Sequence, residues 1–146
     1  MVEKAVEAIL EIKGAQEAGR GRMYETRPQG RQDQPWFINT ALAVRLEMAP
    51  ERLLAAIKEI ETRLGRTPGE RWGPREIDID IIFYGETIME TEALTIPHPM
   101  AAMRRFVLAP VADIDPELVH PLLGRTVSDL LASLPVEGQE TRLCTP

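Results

Sequence analysis

The sequence of 146 residues has a single cysteine, Cys144, and no apolar run near the roughly 18 residues that a membrane-spanning helix needs. One thiol forms neither an internal disulfide nor a cysteine zinc site, so a reducing, cytoplasmic location is predicted. The net charge of −6 argues against a general nucleic-acid-binding protein. Length and composition therefore predict one globular domain over residues 1–146, with neither nucleic acid nor membrane as a partner.

Two common nucleotide-binding signatures are also absent. The chain contains no GxxxxGK[ST] sequence, which excludes a P-loop, and no GxGxxG. No serine, histidine and acid set indicates a hydrolase triad, and Cys144 lies in a polar tail without an activating neighbour. Any nucleotide must therefore be held by side chains and irregular loops.

Lysine is scarce, and arginine replaces it: the 17 basic residues comprise 14 Arg and 3 Lys. Between residues 62 and 75 the four residues Arg63, Arg66, Arg71 and Arg75 face a single acid, Glu70. The planar guanidinium suits bidentate contact with phosphate. This cluster indicates a small polyanionic ligand, with solvated surface charge as the alternative for any one arginine.

The order of helices and strands is irregular. Apolar residues at helical spacing predict helices over residues 2–14, 49–65 and 126–134, and residues 105–114 are predicted to form a short helix or a turn-rich segment. Strands are predicted over residues 23–26, 37–47 and, most clearly, 77–84. Proline and glycine predict loops over residues 27–35 and 66–76, and two prolines exclude a helix over residues 95–100. Because strands and helices do not alternate regularly, the predicted class is α+β.

Asp78 and Asp80 form the sharpest chemical pattern. Residues two apart on a strand point to the same face, with Cα atoms about 7 Å apart. Two such carboxylates can bind Mg²⁺ and leave coordination sites for water and phosphate oxygens. An ordinary amphipathic strand with one wet face is the alternative. The preceding segment favours the metal site, because Arg71 and Arg75 can neutralise phosphates and Trp72 can stack on a flat heterocycle.

Five segments in this order resemble the 6-hydroxymethyl-7,8-dihydropterin pyrophosphokinases of the folate pathway. They are QDQPWFIN (residues 32–39), APE (49–51), GR with ERWGPREIDID (65–66 and 70–80), TIPHP (95–99) and the stretch from Arg104 to Pro110. The ERWGPR-x-x-D-x-D pattern is highly specific. The resemblance implies a ferredoxin-like antiparallel sheet flanked by helices, and transfer of pyrophosphate from ATP with release of AMP.

The resemblance also implies a role for each matched residue. Asp78 and Asp80 would hold two Mg²⁺ ions, and Arg66 and Arg75 would assist catalysis. The implied ATP-binding residues are Glu61, Arg71, Thr95, His98 and Arg104. The implied pterin-binding residues are Thr26, Phe37, Asn39, Trp72 and Phe106. The aromatic faces would sandwich the pterin ring, and Asn39 would hydrogen-bond to its edge.

The start of the chain departs from the family, whose members open with a strand that ends in Gly-Ser-Asn-Leu-Gly. Here residues 1–4 already resemble the following helix. A missing strand is therefore expected, with self-association through the exposed sheet as one consequence. Two alternatives to the active enzyme stay open: a truncated pterin- or nucleotide-binding module with little turnover, and a generic Mg²⁺-dependent phosphohydrolase.

Overall fold

The computed structural model describes residues 1–26, 36–65 and 77–144. The helices in these ranges are α1 (Val2–Leu10), α2 (Pro50–Gly65), α3 (Arg105–Ile114) and α4 (Val127–Ala132), with a short 3₁₀ helix (Ala101–Met103) before α3. The strands are β1 (Gln16–Arg20), β2 (Tyr24–Thr26), β3 (Phe37–Asn39), β4 (Leu42–Arg45), β5 (Met89–Glu90), β6 (Thr95–Ile96) and β7 (Thr141–Leu143). Because the described residues combine helices with antiparallel strand pairs, the predicted α+β class is confirmed.

The helices follow the apolar periodicity of the sequence. α2 begins at Pro50, where the missing N–H costs no helical hydrogen bond, and it buries Ile57 and Ile60. α4 begins after Thr126, whose hydroxyl accepts a hydrogen bond from the Asp129 N–H at 3.0 Å. Within the described ranges, none of the helices has both the length and the apolar character to cross a membrane.

The strands before α2 form an irregular antiparallel ribbon. β1 pairs with β4 and β2 pairs with β3, and between these pairs the Gly21 N–H donates to the Ala41 carbonyl at 2.9 Å. The prediction of a single strand over residues 37–47 is wrong, because Thr40 and Ala41 interrupt it and separate β3 from β4. There the Thr40 hydroxyl donates to the carbonyls of Gly21 and Arg22, which replaces regular strand pairing.

The ribbon lies against α3 at Gly21. A Cβ atom at residue 21 would lie 2.5 Å from the Pro110 carbonyl oxygen, so the close approach requires glycine. On its other side β2 pairs with β7, in the strand order β3, β2, β7. This places residues near the C-terminus beside the central strand of a three-stranded sheet.

Residues 77–84 were predicted to form the clearest strand, and this prediction is wrong for the described chain. The burial alternates as expected: Asp78 and Asp80 are exposed, Ile79 is half-buried and Ile81 is 9% exposed. No strand among the described residues pairs with this segment, however. Apolar alternation predicts which side chains are buried, but a strand also needs a partner that supplies backbone hydrogen bonds.

The same segment connects two apolar cores. Ile81 belongs to the first, which comprises Ile57, Ile81, Leu94 and Ile96. Phe83 packs against the second, which comprises Leu108, Val111, Val127 and Leu130. Side-chain packing on both cores therefore determines where the two aspartates reach the surface.

Candidate active site

Glu61 holds the backbone between the two aspartates. Its Oε2 accepts a hydrogen bond from the Ile79 N–H at 2.9 Å, and its Oε1 lies 3.3 Å from the Lys58 ammonium. The Glu61 side chain is only 17% exposed. The family resemblance implies that Glu61 binds ATP. The structure adds a contact that the sequence did not predict, because the carboxylate accepts a hydrogen bond midway between Asp78 and Asp80.

His98 is fixed to the same segment from the other direction. Its N–H donates to the Ile82 carbonyl at 2.9 Å, and its Nδ1 accepts from the Met100 N–H at 3.2 Å. Thr95 lies three residues earlier in β6, where it pairs with Glu90. Two of the predicted ATP-binding residues, Thr95 and His98, thus lie in one short stretch of chain that is hydrogen-bonded to the aspartate-bearing segment.

Arg104 and Phe106 lie at the start of α3, a few residues after His98. The Arg104 guanidinium carbon is 5.6 Å from the centroid of the Phe106 ring, so the two side chains form a cation–π pair. Arg105, between them, points elsewhere: its Nη1 donates to the carbonyls of Leu131 and Leu134, each at 3.2 Å. The first turn of α3 therefore presents one residue predicted for ATP and one predicted for pterin.

Thr26, Phe37 and Asn39 lie together on β2 and β3. The Asn39 Nδ2 donates to the Thr26 hydroxyl at 2.9 Å, and Thr26 is directly opposite Phe37 in the ladder. Phe37 and Asn39 share a face because they are two residues apart on one strand. Phe37 is 52% exposed, and this accessible ring is suited to stacking on a planar ligand.

A polar network that the sequence did not reveal ties this sheet to α3. The Asp113 carboxylate accepts from the Tyr24 hydroxyl at 2.8 Å, from the Arg22 guanidinium at 2.8 Å and from the Arg22 N–H at 3.1 Å. Burial opposes the charge on Asp113, but the hydrogen bonds from Arg22 and Tyr24 outweigh it and hold the pKa of this carboxyl below its usual value. Burial, reinforced by Asp113, raises the pKa of the Tyr24 hydroxyl.

The described residues contain no group of three or more histidine, cysteine, aspartate and glutamate side chains in ligating positions. Asp78 and Asp80 are exposed carboxylates two residues apart. A donor set of one or two carboxylates, completed by water and substrate phosphates, is the kind that Mg²⁺ uses, whereas Ca²⁺ takes more protein oxygens. The residues therefore fit Mg²⁺ brought together with a nucleotide.

Four predicted site residues, Arg66, Arg71, Trp72 and Arg75, lie outside the described residues. Of the others, Glu61 and His98 each form one hydrogen bond to the segment that carries Asp78 and Asp80. The pterin set divides between the sheet, with Thr26, Phe37 and Asn39, and the start of α3, with Phe106.

Similar sequences are those of pterin pyrophosphokinases. Residues 1–116 match the family described as 7,8-dihydro-6-hydroxymethylpterin-pyrophosphokinase (HPPK). The chain is 41% identical over 140 residues to the 2-amino-4-hydroxy-6-hydroxymethyldihydropteridine pyrophosphokinase of Methylorubrum extorquens, which covers 96% of this chain and 87% of that protein. The enzyme of the same name from Pseudomonas aeruginosa is 37% identical over 139 residues, or 95% and 85% of the two chains. The mitochondrial folate synthesis bifunctional protein of Pisum sativum is 45% identical over 112 residues, which is 76% of this chain and 20% of that protein.

Proposed function

Because this chain belongs to the 7,8-dihydro-6-hydroxymethylpterin-pyrophosphokinase family, we propose that it transfers pyrophosphate from ATP to 6-hydroxymethyl-7,8-dihydropterin in folate biosynthesis. It is then a 2-amino-4-hydroxy-6-hydroxymethyldihydropteridine diphosphokinase, with ATP and the pterin as small-molecule substrates. The observation that carries the proposal is the pair of exposed aspartates, Asp78 and Asp80, which Glu61 and His98 border through hydrogen bonds to Ile79 and Ile82.

Release of AMP defines the bonds that change. The hydroxymethyl oxygen of the pterin attacks the β-phosphorus of ATP, and the bond from that phosphorus to the oxygen bridging the α-phosphate breaks. AMP leaves with the bridging oxygen, and the hydroxyl proton passes to solvent. The protein has little covalent chemistry to perform in such a transfer, so positioning and neutralisation of charge dominate.

Asp78 and Asp80 would hold two Mg²⁺ ions, whose charge would offset that of the phosphate oxygens. Glu61 keeps the chain between these carboxylates in place through Ile79, in addition to any contact with ATP. Arg71, Thr95, His98 and Arg104 would complete the ATP site. Arg66 and Arg75 would supply guanidinium donors to the transferring group, where bidentate hydrogen bonds are strongest.

Thr26, Phe37, Asn39, Trp72 and Phe106 would enclose the pterin. The exposed ring of Phe37 provides a stacking face, and its neighbour Asn39 offers an amide for the polar edge of the heterocycle. The Asn39 amide is already oriented by its hydrogen bond to Thr26, so less side-chain entropy is lost when the ligand binds.

Residues 1–146 would act as one domain in the cytoplasm, without nucleic acid or membrane as a partner. Self-association through an exposed strand edge would depend on protein concentration, and sedimentation across a concentration series tests it directly.

Product analysis tests the function and separates it from the alternatives. The protein is incubated with ATP, Mg²⁺ and 6-hydroxymethyl-7,8-dihydropterin, and the nucleotides are separated by chromatography. The proposal predicts AMP in a 1:1 ratio with pterin pyrophosphate, and no AMP without the pterin. Binding of both ligands without turnover would identify a binding module, and pterin-independent release of phosphate would identify a phosphohydrolase.

A further inference from the structure

The first turn of α3 lacks a capping side chain of its own. The residue before the helix, Arg104, makes no side-chain hydrogen bond to the helical N–H groups. The first N–H groups of any α-helix have no partner within the helix, and leaving them without one lowers helix stability. Arg104 and Phe106 are the neighbours of Arg105, the first residue of α3. The position of this first turn therefore determines the positions of both predicted substrate-binding side chains.

A residue far along the chain supplies the missing acceptor. The Oε1 of Gln139 accepts a hydrogen bond from the Arg105 N–H at 2.9 Å, across 34 positions of sequence. Gln139 is half-buried, and its carbonyl accepts from the Thr141 hydroxyl at 3.1 Å. The capping group therefore belongs to the segment that leads directly into β7.

The same segment reaches the other part of the predicted pterin site. In the ladder between β2 and β7, Thr141 is the direct partner of Thr26, and the Cys144 N–H extends the pairing by donating to the Met23 carbonyl at 3.0 Å. Only one residue, Glu140, thus lies between the cap of α3, next to Phe106, and the strand position opposite Thr26. The segment fixes the helix and the sheet relative to each other.

We propose that Gln139 is a positioning residue for the reaction: by capping α3 at Arg105, it sets Phe106 against the sheet residues that bind the pterin. The inference depends on the proposed function, since it takes Phe106 as one face of the pterin site. Stacking on a preformed face stabilises the bound ground state and the transition state alike. Losing the cap should therefore raise KM for the pterin and leave kcat nearly unchanged.

The test uses an isosteric pair of variants. Gln139→Met keeps the side-chain length and removes the acceptor, whereas Gln139→Glu keeps an acceptor for the Arg105 N–H. Gln16→Ala, at an exposed position in β1, is the control for removing a glutamine elsewhere. We expect Gln139→Met to speed amide hydrogen exchange at Arg105 and to raise the pterin KM, each by about fivefold, the usual effect of one helix cap. Gln139→Glu should restore both values, and Gln16→Ala should change neither.

Phe106→Ala is measured in parallel, to separate this inference from the site assignment. If Gln139→Met speeds exchange at Arg105 while the pterin KM stays unchanged, and Phe106→Ala does raise that KM, the positioning role is refuted and the site assignment stands. The role is also refuted if Gln139→Met and Gln139→Glu behave alike. If Phe106→Ala leaves the pterin KM unchanged, the assignment of Phe106 to the pterin fails, and the role of Gln139 fails with it.

Discussion

The sheet formed by β3, β2 and β7 and the segment over residues 77–84 are held in place by different means. The sheet has two backbone ladders and two distant side-chain links to α3, from Asp113 to Tyr24 and from Gln139 to Arg105. The segment over residues 77–84 pairs with no strand in the described part of the chain. It depends on apolar packing, on the hydrogen bond that the Ile79 N–H donates to Glu61, and on the one that the His98 N–H donates to Ile82.

The contrast indicates how the two halves of the site become ordered. Backbone ladders and part-buried polar links hold Thr26, Phe37 and Asn39, which are predicted to bind the pterin, before a ligand arrives. The aspartates lie on a segment that pairs with no strand in the described part of the chain, and a cation bound between two neighbouring carboxylates offsets their mutual repulsion. Mg²⁺ and nucleotide would therefore complete the order on the aspartate side, and they would change the pterin side little.

The largest effect is expected from the aspartates. Asp78→Ala or Asp80→Ala should lower turnover by roughly a thousandfold, because metal stabilisation of the transferring group contributes several kcal/mol. Both residues are exposed, so the melting temperature should hold or rise. Glu86→Ala, an exposed carboxylate just beyond the segment, is the matched control. Near-normal turnover of either variant at saturating Mg²⁺ would refute the metal site.

Arg75→Ala should lower kcat by roughly a hundredfold, the usual loss when one transition-state donor is removed. The dissociation constant for ATP should change much less, because the guanidinium acts mainly as charge develops on the transferring group. Equilibrium binding and single-turnover kinetics measure the two effects separately. A large rise in the dissociation constant with unchanged kcat would contradict this role.

Asp113→Ala tests the pterin side through stability. The carboxylate is 15% exposed and accepts three hydrogen bonds, so its removal leaves the Tyr24 hydroxyl without its acceptor. We expect a loss of about 2 kcal/mol in the free energy of unfolding, the cost of an unsatisfied, partly buried donor. Asp115→Ala is the control, because Asp115 is exposed and its carboxylate accepts from the N–H of nearby Glu117. If denaturant titrations gave equal losses of unfolding free energy for the two variants, the hydrogen bonds of Asp113 would contribute no specific stabilisation.

The pKa of Asp113 also gives the link a pH dependence. Because the folded-state pKa lies below the ordinary value, the stabilisation is complete above the unfolded-state pKa and is lost as pH falls through the folded-state pKa. Unfolding titrations from about pH 6 to pH 3 should therefore show a steeper loss of stability for the wild type than for Asp113→Ala. Parallel curves would contradict the assignment.

A smaller effect is expected at His120, which anchors one end of the aspartate-bearing segment. Its ring contacts Phe83 edge to face, with the centroids 5.7 Å apart, and its Nδ1 accepts from the N–H groups of Leu122 and Leu123 at 3.2 Å. Burial lowers the pKa of His120, so the folded protein binds this proton less readily than the unfolded chain. Stability should therefore be complete above about pH 6.5 and decline below it.

His120→Asn tests this dependence, because the Asn Oδ1 can replace Nδ1 as the acceptor without titrating. The decline of unfolding free energy between about pH 7 and pH 5 should be smaller in His120→Asn than in the wild type. The prediction fails if His120→Asn keeps the wild-type slope.

Local patterns predicted the helices well, and they predicted strand pairing poorly. The apolar spacing in α2 and α3 determines which face is buried, so their bounds agree with the predicted residues 49–65 and 105–114. β1 and β7 were missed because their side chains are largely polar and exposed, and nothing in Gln16–Arg20 or Thr141–Leu143 indicates a partner. Pairing depends on residues far away in the chain, which a local window does not contain.

In the candidate site, too, local features were predicted and contacts between distant residues were not. The spacing of Asp78 and Asp80 predicts their common exposed face, and the resemblance supplies the names of the residues around them. The links through Asp113 and Gln139 were not predicted, since 89 and 34 positions separate them from Tyr24 and Arg105. An isolated aspartate or glutamine in a helix or loop has no sequence signal that identifies its distant partner.

Amide hydrogen exchange across the described residues tests the central contrast most directly. It is measured for the free protein and for the protein with Mg²⁺ and α,β-methylene ATP, which resists transfer. We expect amides in β2 and β7 to exchange slowly in both states, and those over residues 77–84 to exchange quickly in the free protein and slowly in the complex. The slowing should disappear when Asp78 and Asp80 are both replaced by alanine. Residues 77–84 that are already as protected as β2 in the free protein, or that are slowed equally in the double variant, would contradict the account.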